Sequence, residues 1–325
     1  MEPILIRHSK PWINEDDIKM VSRVLRSGAL ADGLATSRFE KKLLELTGGS
    51  EAVTAQSGSE AAALCLRSMN IGPGDEVILP TYVCHQVRDS ILKVGATPVY
   101  CDCGESWNAD RDAIMKVKTN RTKAVIIVNI YGILNGCTDL GIPIIEDHCQ
   151  SLGISRLGSG IGFYSFNATK CITTGNGGAA VFNNHELATI ARKISSPISD
   201  MAATLGLSQL ERFKDFIHRR NLIAERYINE LPKTLTEKLS SLTSMYFRFP
   251  LYTDLKYGYI SAKMLQNRVI TRRGVDSLLH REAGISDAGY PNAVAHFNQT
   301  ISIPIYPAMT ETDVDLVIEA VNEYF

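Results

Sequence analysis

IPIIEDHCQSLGISRLGSGIGFYSFNATKCITTGNGGAAVFN, residues 142–183, holds three short apolar runs, IPIIED, IGFYSF and GAAVFN, with reactive side chains gathered where the first two end. Each run is short, rich in β-branched or aromatic residues and flanked by polar turn residues, so each reads as a strand. The first ends in Glu146 and Asp147, with Gln150 three positions past Asp147. The second ends near Ser165, and Lys170 follows in a polar loop that leads into the Gly-rich turn GNGG at 175–178. Acids at the carboxyl end of a strand face the crevice in which α/β proteins bind ligands. Such an aspartate suits a metal, a ribose or a cationic ring nitrogen, and equally a solvated strand end. A solitary lysine between hydroxyl residues and glycines, far from any charge cluster, suits a reactive amine rather than a solubilising one.

Working outward, four more runs of the same kind lie upstream: EAVTA at 51–55, EVILP at 76–80, TPVYCD at 97–102 and KAVIIVNIYG at 123–132. Several are nearly continuous in apolar residues, as expected of strands covered on both faces, and helical segments separate most of them. Seven strands of an open α/β sheet are therefore predicted. In TAQSGSEAAALCLRSM, at 54–69, the first strand gives way to Ser57, Gly58 and Ser59 and then a helix, with Ser57 and Glu60 spaced as a capping box. Free N–H groups, a glycine and hydroxyls at a helix N-terminus suit a phosphate, although the same residues make an ordinary cap. Downstream, Leu210, Phe213, Ile217, Ala224, Tyr227 and Ile228 fall at helical spacing within a stretch from Gly206 to Leu231 that is expected to bridge two units. The remainder, with YFRFPLY at 246–252, an amphipathic stretch at 260–272, ISIPIY at 301–306 and a helix opening at Thr310 with Asp313 as its capping partner, reads as a smaller α+β domain. The expected division is a large domain over 1–205 with an N-terminal arm, a bridging helix over 206–231 and a small domain over 232–325.

Bulk properties narrow the function. A hydrophobic fraction of 45% supports a substantial core, and a formal net charge of −1 gives no electrostatic footprint for nucleic acid or anionic membrane. No apolar run approaches the ~20 residues that span a bilayer, and MEPILIRHSK lacks a signal core, so a cytoplasmic protein acting on small molecules is expected. Seven cysteines form no CxxC pair and read as small buried hydrophobes; no metal site is expected. Together the three sites supply phosphate ligands, a carboxylate for a pyridine nitrogen and an amine for an aldehyde, which are the requirements of pyridoxal 5′-phosphate (PLP).

With these motifs in place the chain resembles the DegT/DnrJ/StrS family of sugar aminotransferases, which have the aspartate-aminotransferase-like PLP fold (fold type I). The resemblance runs in order through LRSGALADG at 25–33, GPGDEVILP, GATPV, VNIYG, IIEDHCQSLG and SFNATKCITTGNGG to GLSQLERF and SIPIYPAMTETD. It implies that Lys170 is the Schiff-base lysine and the base for the proton shift, Asp147 the pyridinium partner, and Gln150 a neighbour of the ring substituents. Gly58, Ser59 and Ser165 would hold the phosphate. The implied reaction moves an amino group from L-glutamate, through the pyridoxamine 5′-phosphate form, to a keto group of a nucleotide-linked deoxysugar, for surface polysaccharide or antibiotic assembly. A homodimer is implied. Alternatives are a PLP reaction on a non-sugar ketone or an amino acid, and a PLP-binding regulatory protein without turnover. A Rossmann dinucleotide site would need GxGxxG, which SGSEAA does not supply.

The chain also departs from that pattern. Cys84 in PTYVCHQV stands where the family usually stacks a flat group on the cofactor, leaving Tyr82 or His85 for that place, and Asn176 replaces an acid in the Gly-rich turn. Only KISSPISD, at 193–200, occupies the position of a long loop that reaches the neighbouring subunit, and NIYGILNGCTDLGIPIIED, at 129–147, is shorter than the usual connection. His148 and His280 are weaker candidates near the site. Arg272 and Arg273 suit a carboxylate or diphosphate but equally a helix C-terminus.

Overall fold

The structure is a computed structural model that describes residues 5–325; the first four residues of the expected large domain lie outside the described part. In chain order the elements begin with α1 (Glu15–Ser27), α2 (Leu34–Thr47), β1 (Glu51–Ala55), α3 (Gly58–Ser68), β2 (Glu76–Pro80), α4 (His85–Lys93), β3 (Thr97–Cys101) and α5 (Arg111–Lys116). They continue with β4 (Thr122–Val128), β5 (Ile144–Asp147), β6 (Ile161–Ser165), β7 (Gly178–Phe182), α6 (His185–Ile194), α7 (Asp200–Glu211), α8 (Phe213–Glu230) and α9 (Lys233–Ser240). The chain ends through β8 (Phe249–Tyr252), α10 (Tyr257–Gln266), β9 (Arg272–Arg273), α11 (Leu279–Glu282), α12 (Pro291–Gln299), β10 (Thr300–Ile303) and α13 (Glu311–Tyr324).

All seven expected strands form, and they join one sheet in the order β1-β7-β6-β5-β4-β2-β3. β3, β2, β4, β5 and β6 run parallel, whereas β7 is antiparallel to both β6 and β1. The near-continuous apolar strands are explained by burial on both faces. Val77, Leu79, Ile126 and Val128 join one apolar cluster, while the alternating Ile78, Val125 and Ile127 join another. A three-stranded antiparallel sheet, β8-β10-β9, is built from the C-terminal third. The larger apolar cluster runs without a break from Val53 and Ile145 to Leu251, Ile301 and Val317, so helices shared by both sheets close one continuous core.

Three expectations need correction. The single bridging helix over 206–231 is two helices, broken at Arg212 (φ −101°, ψ 9°), and the first begins at Asp200 under a Ser199 cap rather than at Gly206. Gly206 looked like a boundary but lies inside α7, where an added Cβ would come within 2.5 Å of the Phe39 ring; it is a packing glycine. The N-terminal arm leaves the large sheet: the Ile6 N–H donates to Arg268 O at 2.8 Å and the Ile270 N–H to Ile6 O at 3.0 Å, joining the arm to the C-terminal part. The Thr310–Asp313 capping box forms as read, but at Ser57 only half a box does: the Ser57 hydroxyl accepts from Glu60 N–H, while the Glu60 carboxylate turns outward to Lys93. No helix among the described residues is long and apolar enough to cross a membrane.

Candidate active site

Strand direction gathers the site. Because β5 and β6 are parallel and β1 and β6 both pair antiparallel with β7, the carboxyl ends of β1, β5 and β6 meet at one edge of the sheet. Ala55 and Ser165 lie opposite Gly178, the first residue of β7. This close level requires glycines. A Cβ on Gly178 would sit 2.4 Å from Ser57 O, and one on Gly58 would sit 2.7 Å from Ser165 Cβ. The N-terminus of α3 is thereby pressed against the end of β6. Its Ser57 cap is extended (φ −160°), and the first intrahelical bond runs from Ala61 N–H to Ser57 O at 3.0 Å. The Gly58 and Ser59 N–H groups precede that bond, and the Ser57 and Ser59 hydroxyls lie 3.0 Å apart beside them.

The period of two along β5 places Asp147 on the same face as buried Ile145, toward α3, and Glu146 on the opposite face. Asp147 is buried, and its Oδ1 accepts one hydrogen bond, from Cys149 N–H at 2.9 Å. Burial pushes its pKa up, against the opposing pull of that N–H and of the Lys170 charge. The loop from β6 to β7 folds back through a hydrogen bond from Lys170 N–H to Asn167 O and returns Lys170 to the same place, with Nζ 5.5 Å from the centre of the Phe247 ring. Gln150 is oriented by the turn after β4: its Oε1 accepts from Tyr131 N–H at 2.7 Å.

Gly58, Ser59, Asp147, Gln150, Ser165 and Lys170 all line one cleft with about 430 Å³ of open space. Its apolar walls are Ala62, Val83, Val87 and Phe163, and two thiols, Cys84 and Cys149, face it as well. Of the predicted site residues only His85 is displaced. As the first residue of α4 it is exposed and lines an adjoining recess with Arg248 and Asp276. Tyr82 does not face the cleft either; it is buried, its hydroxyl 2.7 Å from that of Tyr131. Neither of the two residues expected to stack on the cofactor, Tyr82 and His85, lines the cleft, whereas Cys84 does. It is also exposed, which corrects the reading of all cysteines as buried; Cys65, Cys101, Cys103 and Cys171 are buried, and Cys137 and Cys149 partly so.

The histidines have structural surroundings. His148 turns to the other face of the sheet, stacked on Tyr164 and 2.9 Å from Glu146 Oε2. His280 is buried between Thr81 and Asp287 and stacks on Tyr290, and His8 bonds Ser302. Arg273 lies over the rings of Tyr257 and Phe297, while Arg272 is exposed. Sequence reading missed Arg248, Phe247 and Cys149. Phe247 and Arg248 are brought in by tertiary packing from a stretch whose own pattern is apolar, whereas Cys149 lies in the turn between Asp147 and Gln150 and could have been found from that position. The shortened 193–200 segment is pinned to β1 and α2: Ser195 Oγ donates to Thr54 O, and Ile198 O accepts from Thr36 Oγ1. The connection from β4 to β5 holds a single 3-10 turn at Ile130–Gly132 and no α-helix, in line with its short length.

Residues 11–322 match the DegT/DnrJ/EryC1/StrS aminotransferase family. The spore coat polysaccharide biosynthesis protein SpsC of Bacillus subtilis (strain 168) is 29% identical, with 97% of this chain and 96% of that protein covered. The UDP-4-amino-4-deoxy-L-arabinose–oxoglutarate aminotransferase of Shewanella sediminis (strain HAW-EB3) is 27% identical over the same shares of the two chains. Among solved structures, the aminotransferase TlmJ of Streptoalloteichus hindustanus superposes with a TM-score of 0.89 at 27% identity, covering 98% of each chain. The cofactor of such an enzyme is PLP, and the cleft fits it. It offers a buried carboxylate with one oxygen not engaged by Cys149, a primary amine, and a helix N-terminus whose glycine admits no side chain.

Proposed function

The chain belongs to the DegT/DnrJ/EryC1/StrS aminotransferase family, and from that premise we propose that it transfers the amino group of L-glutamate to a keto group of a nucleotide-linked deoxysugar. The observation that carries the reading is the convergence of Lys170, Asp147 and the α3 N-terminus on one cleft. Two relatives support the sugar: one is named for spore coat polysaccharide biosynthesis, the other for an aminated UDP-arabinose. The second is also named for oxoglutarate, the deaminated counterpart of glutamate, which supports the donor.

When bound, PLP supplies an aldehyde that condenses with amines and a cationic ring that withdraws electrons from the substrate's α-carbon. The residues have separate tasks. Asp147, ionised, keeps the proton on the ring nitrogen; its burial makes the charge costly alone and strongly favourable beside a cation. Lys170 would hold the aldehyde through Nζ, and as a free amine that Nζ would be the base that takes the proton from the donor's α-carbon and delivers it to the carbon on the other side of the transferred nitrogen. The Gly58 and Ser59 N–H groups, with the Ser59 and Ser165 hydroxyls, hold the phosphate at the positive end of α3. Gln150 would orient the ring's substituents, and Cys84, which lines the cleft where His85 does not, would be the side chain of PTYVCHQV nearest the cofactor.

The enzyme acts as a cytoplasmic homodimer in this reading. Its seven unpaired cysteines suit a reducing compartment, and the exposed Leu25, Leu30 and Leu34 are apolar side chains that a second copy would cover. The test is the absorption spectrum of the PLP-loaded protein. Wild type shows a visible band that L-glutamate bleaches, and Lys170→Ala shows no such Lys-dependent band. A band in wild type that glutamate leaves unchanged removes the donor; no difference between wild type and Lys170→Ala removes the catalytic assignment.

A further inference from the structure

Next to the cofactor cleft lies a second recess with about 420 Å³ of open space, and the two share Val83, Cys84 and Gln150 as a common wall. At its far side stands Arg248, from the turn that leads into β8. This guanidinium is unusual for a partly buried cation. Its protein hydrogen bonds run from Nη1 to backbone carbonyls, Gly274 O at 3.1 Å and Arg273 O at 3.5 Å, and among the described residues it forms no ion pair. Other enclosed arginines of the chain are placed differently: Arg212 pairs with Asp17, and Arg220, which lines a separate pocket on the Trp12 side of Lys170, spends Nη1 on three backbone carbonyls. Two charged neighbours act on Arg248: Asp276, which lines the same recess without pairing with it, and Arg272 from β9, whose like charge adds to the positive potential. Loss of water at this position draws the pKa of the guanidinium down, the sign of a cation short of counter-charge.

The placement of Arg248 is rigid and is shared with the cofactor cleft. The Arg248 backbone N–H donates to Tyr131 O at 3.3 Å, and the Tyr131 N–H donates to Gln150 Oε1 at 2.7 Å, so one turn residue, itself at φ 59°, holds the main chain of Arg248 and the side chain of Gln150. Behind it the Tyr131 and Tyr82 hydroxyls meet over Gly274, where any Cβ would stand 1.9 Å from both oxygens. A planar cation fixed in this way, beside the place where an amine must react, is built for a planar anion, because guanidinium and carboxylate match in a two-point fork.

We propose that Arg248 binds the carboxylate of the amino donor and so selects an amino acid as the source of nitrogen. The assignment rests on the aminotransferase reading above and deepens it. The donor's carboxylate sits in the recess while its amino group reaches across the wall of Val83, Cys84 and Gln150 toward Lys170. Glutamate carries two carboxylates, and either one has the required chemistry.

The test uses the full-length, PLP-loaded protein and the variants Arg248→Gln and Arg248→Lys. Calorimetric titration with succinate, a dicarboxylate that cannot react, reports the anion site without turnover. Wild type is expected to bind it, Arg248→Gln at least tenfold more weakly, and Arg248→Lys in between, while the absorption of bound PLP stays the same in all three. Stopped-flow bleaching by L-glutamate should then need at least tenfold more donor in Arg248→Gln, with the limiting rate changed less than the half-saturating concentration. If L-alanine loses as much, the α-carboxylate is the one held; if only glutamate does, the distal one is. Equal succinate and glutamate binding in wild type and Arg248→Gln would overturn the assignment and leave the aminotransferase reading intact. Loss of the PLP band in wild type would instead bring down both.

Discussion

At the scale of single residues, Asp147 carries the clearest energetic consequence. Its pKa is raised by burial, so the folded chain holds the proton more tightly than the unfolded chain does. The stability this group lends the cofactor-free protein is therefore full below the ordinary aspartate range and is lost as pH rises through the elevated value. At neutral pH the buried carboxylate is a cost that only a cationic partner removes. Asp147→Asn keeps an oxygen for the Cys149 N–H and removes the charge. The cofactor-free variant should melt at or above the wild-type temperature at about pH 7, the difference shrinking toward about pH 4, and should bind PLP at least tenfold more weakly, ~1.4 kcal/mol. A lower melting temperature at pH 7 with unchanged PLP affinity would remove the role assigned to this carboxylate. Lys170 and Asp147 were both legible in the sequence, because Asp147 closes an apolar strand and Lys170 stands alone as a charged group in a polar, Gly-rich loop. Arg248 was not, because YFRFPLY reads as a strand with one outward cation and says nothing of what surrounds it.

At the scale of elements, the phosphate end of the cleft depends on how closely α3 approaches β6 and β7. Gly178→Ala puts a methyl group 2.4 Å from the Ser57 carbonyl, a backbone atom that can yield only if α3 shifts. Overpacking of this kind costs about 1–3 kcal/mol. Chemical denaturation should show that loss, and titration with PLP or with inorganic phosphate should show weaker binding; an intact phosphate affinity would mean that α3 does not form the anion site. The strands were readable from composition because burial on both faces leaves an unbroken apolar run. The break between α7 and α8 was not, since Arg212 is drawn out of helical geometry by partners far away in sequence. Its Nη2 lies 2.6 Å from buried Asp17 Oδ2 and 3.2 Å from Trp12 O, and Asp17 also accepts from Ser208 and Gln209.

At the scale of the whole molecule, a homodimer should sediment at about twice the 35.8 kDa of the chain, and Leu34→Asp, at a residue 75% exposed, should shift it toward the monomer without unfolding it. A wild-type monomer at micromolar concentration would rule out the second copy. The sequence by itself determined the class of fold and the existence of the seven strands, and it brought forward six residues that line one cleft. These follow from local rules: apolar periodicity fixes strands, and strand ends next to glycines and hydroxyls fix where a crevice can hold chemistry. Tertiary structure alone decided that Ile6 and His8 of the arm bond the C-terminal part, that His85 faces a separate recess while Cys84 faces the cleft, and that Arg248 stands beside that cleft. Each of these depends on pairings between residues tens to hundreds of positions apart, and a side chain's neighbours across such distances leave no mark in its own local sequence.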